Sequence, residues 1–373
     1  MPRSDSDVSD VQEQDVPHVL SAYVHDVRYF AALLRGVSFA KMASVTIMDS
    51  GLIVTTEEAR TLLGTAYIFA DIFDEYTYNP PSQQQLPSQS QSADSERENE
   101  ELNAAFDINL SVLLECLNIL GTAGPTTTNL KTNDKAHRFH GLGQGDGGND
   151  NEPGPSKRNG RKDDKDVAGN ARLDQYFGGG GKKTGMRLSY AGAGYPLTLL
   201  IAEEADGPTA TCEITTFDPE PRLELPFDAE QTALRIILKS SWLRDALSEL
   251  EPSCEKVTIV GNPPPPEGRV PRTSTPRLRL KAVGNWGSTE MDYPNDREVL
   301  EACDCPVAVS FSYKHSHLQK AARALQTSTK TSLRIDQDGL LSLQFLMPSP
   351  RARPGKSANA FVEFRCMALE GDD

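Results

Sequence analysis

Two helical patterns recur in the same order in the two halves of this chain. DVRYFAALLRGVSF sets apolar Val27, Phe30, Ala31 and Leu34 at helical spacing, and WLRDALSEL does the same with Leu243, Ala246, Leu247 and Leu250. In each an arginine follows the first core residue, Arg28 and Arg244. A second helix follows in each half. INLSVLLECLNIL puts Leu110, Leu113, Leu114 and Leu117 on one stripe, and SHLQKAARAL puts Leu318, Ala321, Ala322 and Leu325 on another. Between the helices lie short alternating runs. ASVTIMDSGLIVTTEE reads as two strands around Asp49-Ser50-Gly51, and KTSLRIDQDGLLSLQFLM as two around Asp338-Gly339. MRLSYAGAGYPLTLLIAEE and RLRLKAVGNWGSTEMDY add strands broken at glycine. The expectation is an α+β chain of two similar domains, each with two helices packed on antiparallel sheet through their apolar stripes, their other faces free.

Two stretches interrupt the repeat. PPSQQQLPSQSQSADSERENEE and the Gly-, Asn-, Asp- and Lys-rich tract from about Ala123 to Gly185 are too polar to bury a core and read as disordered insertions. GLGQGDGG within the second resembles a phosphate loop, but it neither follows a strand nor opens a helix. The expected organisation is an acidic tail over 1–15 and a first domain over 16–217, with insertions at about 80–104 and 123–185. A connector over 218–230 and a second domain over 231–373 complete it.

The chain has 373 residues and a formal net charge of −15, which argues against a broadly basic nucleic-acid surface but leaves room for a local one. No run approaches the roughly 20 apolar residues of a membrane helix, and the acidic start has no signal-peptide core. Scattered Cys116, Cys212, Cys254, Cys303, Cys305 and Cys366 read as reduced thiols of an intracellular protein.

The strings FDINLSVLLECLNILG, SYAGAGYPLTLLI, SSWLRDALSEL, LRLKAVGNWGSTEMDYPND and FVEFRC resemble the Rad-one subunit family of the DNA-damage checkpoint sliding clamp. That clamp is a nuclear heterotrimeric ring related to proliferating cell nuclear antigen. The resemblance implies two DNA-clamp domains whose inner helices line a central hole. It also implies two related clamp subunits as ring partners, a checkpoint clamp loader, double-stranded DNA held without sequence readout, and repair enzymes as clients. No cofactor and no catalytic residue is implied.

On that reading the DNA-facing candidates are Arg28, Arg35, Arg244, Lys320 and Arg323, placed by helical spacing on free faces or flanks, while Glu115 makes the lining uneven. Ser316 with Gln319 has the spacing of a capping box and would start the last helix there. His315 and His317 read as polar helix-entry residues, with no neighbours to complete a metal site. Cys303 and Cys305 read as one buried and one partly exposed thiol, and Trp286 as either a turn-packing aromatic or a partner anchor. The rival function is a 3′→5′ DNA exonuclease. Its best acidic motif, Asp218-Pro219-Glu220, carries a strand-breaking proline and falls in the connector. Within the second insertion, Lys157, Arg158, Arg161 and Lys162 form a candidate nuclear import signal. Asn170, Leu173, Tyr176 and Phe177 have the spacing of a clamp-binding box, with Asn in place of the usual Gln.

Overall fold

Each helix grows directly out of the end of a strand, and the chain does this four times. The computed structural model describes residues 18–80, 103–121, 183–203, 207–264, 275–349 and 359–370. Strand β1 (Leu20–Val24) leads into α1 (Val27–Gly36), then β2 (Met42–Met48), β3 (Gly51–Glu58), β4 (Leu62–Phe69) and β5 (Glu75–Tyr78). The second run is β6 (Ala104–Asn109), α2 (Leu110–Leu117), β7 (Gly185–Tyr190), β8 (Leu197–Ala202), β9 (Thr209–Ile214) and β10 (Thr216–Phe217). The third is β11 (Thr232–Lys239), α3 (Ser240–Glu249), β12 (Lys256–Gly261), β13 (Leu278–Gly284), β14 (Gly287–Tyr293) and β15 (Leu300–Asp304). The fourth is β16 (Val309–Lys314), α4 (His315–Lys320) with α5 (Ala322–Thr327), β17 (Lys330–Asp336), β18 (Leu341–Met347) and β19 (Ala360–Cys366).

The pairing repeats as well. Leading strands cross over between runs: β1 pairs with β7 and β6 with β2, while β11 pairs with β17 and β16 with β12, all antiparallel. A trailing strand then covers the far side of each leading strand, β5 on β1, β10 on β6 and β15 on β11. After the fourth run the Leu369 N–H donates to Ser312 O of β16 at 2.7 Å in the same position. Because β4 pairs with β19, two of these sheets fuse into one of ten strands, β10-β6-β2-β3-β4-β19-β18-β17-β11-β15. The others are β5-β1-β7-β8-β9 and β14-β13-β12-β16. The fold is mixed α and β, with antiparallel pairing throughout.

Alternating burial fixes which way the ten-stranded sheet faces. In β19, Val362, Phe364 and Cys366 are buried on the helix side, and Phe361, Glu363 and Arg365 point the other way. The helices form one row over the first face. Helix α1 touches α2 on one flank and α5 on the other, and α5 touches α3. The segment 218–230 has no regular structure and crosses the second face. Arg222 donates to Thr55 O at 2.6 Å, Leu223 N–H to Glu57 Oε2 at 3.2 Å, and Arg365 to Leu225 O at 2.8 Å.

Several expectations need correction. Helix α1 does not leave a free face: eight of its ten residues are buried, because helices flank it on both sides and the sheet lies beneath, so it is nearly apolar all round. The last helix is two short ones broken at Ala321, and Ala322 is only half-buried while Ala324 is buried. No capping box starts it. The N-cap is Lys314, with no side-chain cap bond, and the His315 N–H donates to Glu255 O at 2.9 Å. His315 and His317 are at the helix entry but buried, at 2% and 5% exposure. His315 Nδ1 lies 3.0 Å from Cys254 O, and His317 Nδ1 3.5 Å from Cys366 Sγ. Trp286 does not pack in its turn; it is 91% exposed. Cys305 is buried and Cys303 half-buried, as expected, and all six cysteines are free. Ala104 and Gly185 belong to strands, so both insertions end slightly earlier than assigned. Among the described residues no helix is long and apolar enough to cross a membrane.

Burial, reinforced by Lys314 and Lys320, holds the His317 pKa below its usual value. The folded state therefore binds this proton less readily than the unfolded chain. The stability this contributes is fully present above the unfolded pKa of about 6.5 and is lost as pH falls through the lower folded pKa. Melting temperatures between pH 7.5 and 5.5 should fall for the natural chain and fall less steeply for His317→Gln.

Candidate nucleic-acid interface

The four helices that follow a leading strand, α1 to α4, start in one way. The first helical N–H of each donates to a carbonyl at the entry of the strand that pairs with its own leading strand. Val27 donates to Thr184 O at 2.9 Å, Leu110 to Lys41 O at 2.8 Å, Ser240 to Thr329 O at 3.0 Å and His315 to Glu255 O at 2.9 Å. The result is a row of helix N-termini, each carrying the partial positive charge of its terminal N–H groups.

A lysine stands at every one of these ends. Lys183 precedes Thr184 beside α1, and Lys41 is itself the acceptor for α2. Lys239 and Lys314 are the N-cap residues of α3 and α4. All four are exposed, and none makes an ion pair among the described residues. An N-cap lysine goes against helix chemistry, which favours Asn, Asp or Ser at that place and disfavours a cation near the positive end. By contrast α1 and α2 use Asp26 and Asn109, whose side chains accept from the first-turn N–H groups. Two helices thus forgo a cap in favour of a cation. Sequence reasoning assigned no role to these four lysines; a lysine immediately before a helix was a readable signal at Lys239 and Lys314, but Lys41 and Lys183 precede strands.

The arginines and the lysine chosen from the sequence lie on the same helix row, but most of their charge is already used. Arg28 grips Asp26 with two bonds, Nε to Oδ1 at 2.9 Å and Nη2 to Oδ2 at 2.7 Å. Arg244 donates twice to Asp245 Oδ1, at 3.0 and 2.9 Å. Lys320 pairs with the Glu58 carboxylate and lies 5.9 Å from the Phe39 ring centre. Arg35 is half-buried in the last turn of α1, where a cation suits the helix dipole. Arg323 is exposed, donates to Ser38 Oγ at 3.1 Å and makes no ion pair among the described residues. Glu115 and Asp245 are exposed on the same row. The import and clamp-box residues, Lys157, Arg158, Arg161 and Lys162 with Asn170, Leu173, Tyr176 and Phe177, lie outside the described residues.

The chain matches the family model described as "Repair protein Rad1/Rec1/Rad17" over residues 19–347. It belongs to the Rad1/Rec1/Rad17 family. It is similar to the human "Cell cycle checkpoint protein RAD1", 29% identical over 356 residues that cover 95% of this chain and 94% of the human one. It is also similar to the "DNA repair exonuclease REC1" of Mycosarcoma maydis, 26% identical, covering 94% of this chain and 96% of that protein. A shorter match, 33% identical over 163 residues, is to the "DNA damage checkpoint control protein rad1" of Schizosaccharomyces pombe, covering 43% of this chain and 47% of that one.

The exonuclease name directs attention to the acids of this Rad1/Rec1/Rad17 chain. Asp107, Asp218, Glu220 and Glu57 line one recess of about 600 Å³ beside the segment that crosses the sheet. Asp107 is occupied there. It accepts from the Ser44 hydroxyl, from Arg222 Nη2 at 3.1 Å and from the Glu220 N–H at 3.3 Å, while Glu57 accepts from Leu223 N–H. The Asp107 and Glu57 carboxylates hold the connecting segment to the sheet.

Proposed function

We propose that this chain is one subunit of a ring-shaped checkpoint sliding clamp that encircles double-stranded DNA at damage sites in the nucleus and scaffolds checkpoint and repair factors. The two halves act as two clamp domains joined through β4 and β19, with 218–230 as their connector. The observation that carries this reading is the four-fold strand–helix repeat, which lines up four helix N-termini, each beside an exposed lysine. Phosphate groups suit such ends, because terminal N–H groups and a cation act together without contacting bases. Edges support the ring. Among the described residues strands β9 and β14 each pair on one side only, and an open edge presents unpaired backbone groups to another chain. Two related subunits would complete those edges, and a clamp loader would open the ring.

Charge reversal at the four lysines, Lys41→Glu, Lys183→Glu, Lys239→Glu and Lys314→Glu, is expected to leave folding and ring assembly intact, since these side chains are exposed and make no ion pair among the described residues. DNA retention by the assembled ring should fall and its salt dependence flatten. Retention equal to that of the natural chain would exclude the assigned lining. Arg28→Glu is a poor probe, because it would set two acids against each other at the cap of α1.

The second reading is a 3′→5′ exonuclease, favoured by the name of the Mycosarcoma maydis relative. Labelled DNA incubated with the purified chain and Mg²⁺ tests it. Degradation that disappears on Asp218→Ala would favour the enzyme.

A further inference from the structure

Two thiols far apart in sequence meet where helix α2 lies against the outermost strand of its neighbouring sheet. Cys116 is in the last turn of α2, one turn after buried Leu113 and next to buried Leu117, so it flanks the apolar stripe. Cys212 is in β9, opposite the buried Leu199 of β8. Cross-strand partners share a face, so Cys212 points with Leu199 into the core, while Thr211 and Glu213 are exposed on the other side. Helix α2 packs on β9, and the two thiols are hydrogen-bonded to each other.

The remaining cysteines are placed differently. Cys305 Sγ lies 3.1 Å from Val307 O and Cys366 Sγ 3.5 Å from His317 Nδ1, and both residues are buried, as is Cys254. Cys303 is half-buried and stands opposite Ile236 of β11. Cys116 and Cys212 are half-buried as well, so a dissolved reagent reaches the pair. Among the described residues β9 is held by β8 on one side alone, which leaves the contact with α2 as its second anchor.

We propose that Cys116 and Cys212 form a reversible disulfide when the chain meets oxidised glutathione or another small-molecule disulfide, fixing the edge strand β9 to helix α2. The Cys212 thiolate attacks one sulfur of the small disulfide, whose S–S bond breaks to give a mixed disulfide on Cys212 and one small thiol. Cys116 then loses its proton and attacks the Cys212 sulfur, and the second small thiol leaves. The two protein thiols give up two electrons and two protons, and the small disulfide is reduced to two thiols. The order follows from the state of Cys116. Burial, helped by the hydrogen bond to Cys212, pushes its thiol up to about 11, so it is protonated at neutral pH, and the thiolate is the nucleophile. In the second step the target sulfur already lies beside it, and proximity offsets the poor ionisation. The disulfide forms in the chain alone, so its absence would leave the clamp reading untouched.

The purified full-length chain, reduced and then exposed to oxidised glutathione, should lose two titratable thiols. Peptide mapping without reductant should show one cross-link, Cys116 to Cys212, and dithiothreitol should reverse it. Oxidation should raise the melting temperature by about 5 °C, because the cross-link closes a long loop, and the β9 amides should exchange with D2O several-fold more slowly. Cys116→Ser should stop at the mixed disulfide on Cys212, whereas Cys212→Ser should trap little glutathione on Cys116, and Cys303→Ser should change nothing. Cys116→Ala repeats the first variant should serine disturb α2. All six thiols still free after exposure, a cross-link between other cysteines, or a Cys116–Cys212 bond that leaves β9 exchange unchanged would overturn the proposal. So would more glutathione trapped on Cys116 in Cys212→Ser than on Cys212 in Cys116→Ser.

Discussion

Gly51→Ala should be the most destabilising single change. Gly51 closes the β2–β3 hairpin at φ +139°, and an added Cβ would stand 2.1 Å from Ile68 O and 2.8 Å from Phe69 Cα. Both neighbours are backbone atoms of β4, so neither can swing away. Strained backbone and overpacking together should cost about 4 kcal/mol, a large share of the roughly 5–15 kcal/mol that holds a domain together. Gly121 supplies the control. It too has positive φ, +74°, but nothing lies within 4 Å of its missing Cβ. Gly121→Ala should therefore cost only about 1 kcal/mol of left-handed strain. Urea midpoints of the two variants measure the difference, and near-equal midpoints would contradict the packing described at β4.

Arg222→Ala should be the second most damaging change. The side chains of Arg222 and Asp107 are 20% and 7% exposed, and their ion pair, at 3.1 Å, ties the connecting segment to β6. Removing the arginine leaves a buried carboxylate with only the Ser44 hydroxyl and the Glu220 N–H, at a cost of about 3 kcal/mol. Removing both charges should cost less than the two single losses added, since they share one interaction. The functional consequence is local. With Arg222 gone, residues 218–230 keep fewer anchors and should be cut faster by protease, while the hairpin cores remain protected.

The repeat itself was legible because strand and helix periods are local. DSG and DG mark hairpins wherever they fall, and the leucine stripes at 110–117 and 243–250 need no knowledge of neighbours. The misreadings all came from contacts distant in sequence. The last helix starts at His315 rather than after Ser316 because its first N–H finds Glu255 O, a partner no local spacing reveals. Helix α1 is buried on nearly every side because α2 and α5, from distant parts of the chain, flank it. The basic residues show the same division. Arg28, Arg244 and Lys320 lie on the helix row, but helical spacing could not show Asp26, Asp245 and Glu58 taking up their charge. Lys41 and Lys183 join the row only through backbone bonds to α2 and through Thr184 to α1, across long separations. Arg235, Arg334 and Arg365 share one line across the sheet only once β11, β17, β18 and β19 are in register.

The central claim, that this chain closes a ring through its open edges, is tested most directly by the mass of the assembled species. Sedimentation of the chain mixed with the two related clamp subunits of the same cell should give a single species containing one copy of each. The chain alone should remain monomeric, and charged substitutions on β9 or β14 should prevent assembly without lowering its melting temperature. A chain that stays monomeric in the mixture, or that assembles equally well with both edges altered, would contradict the account.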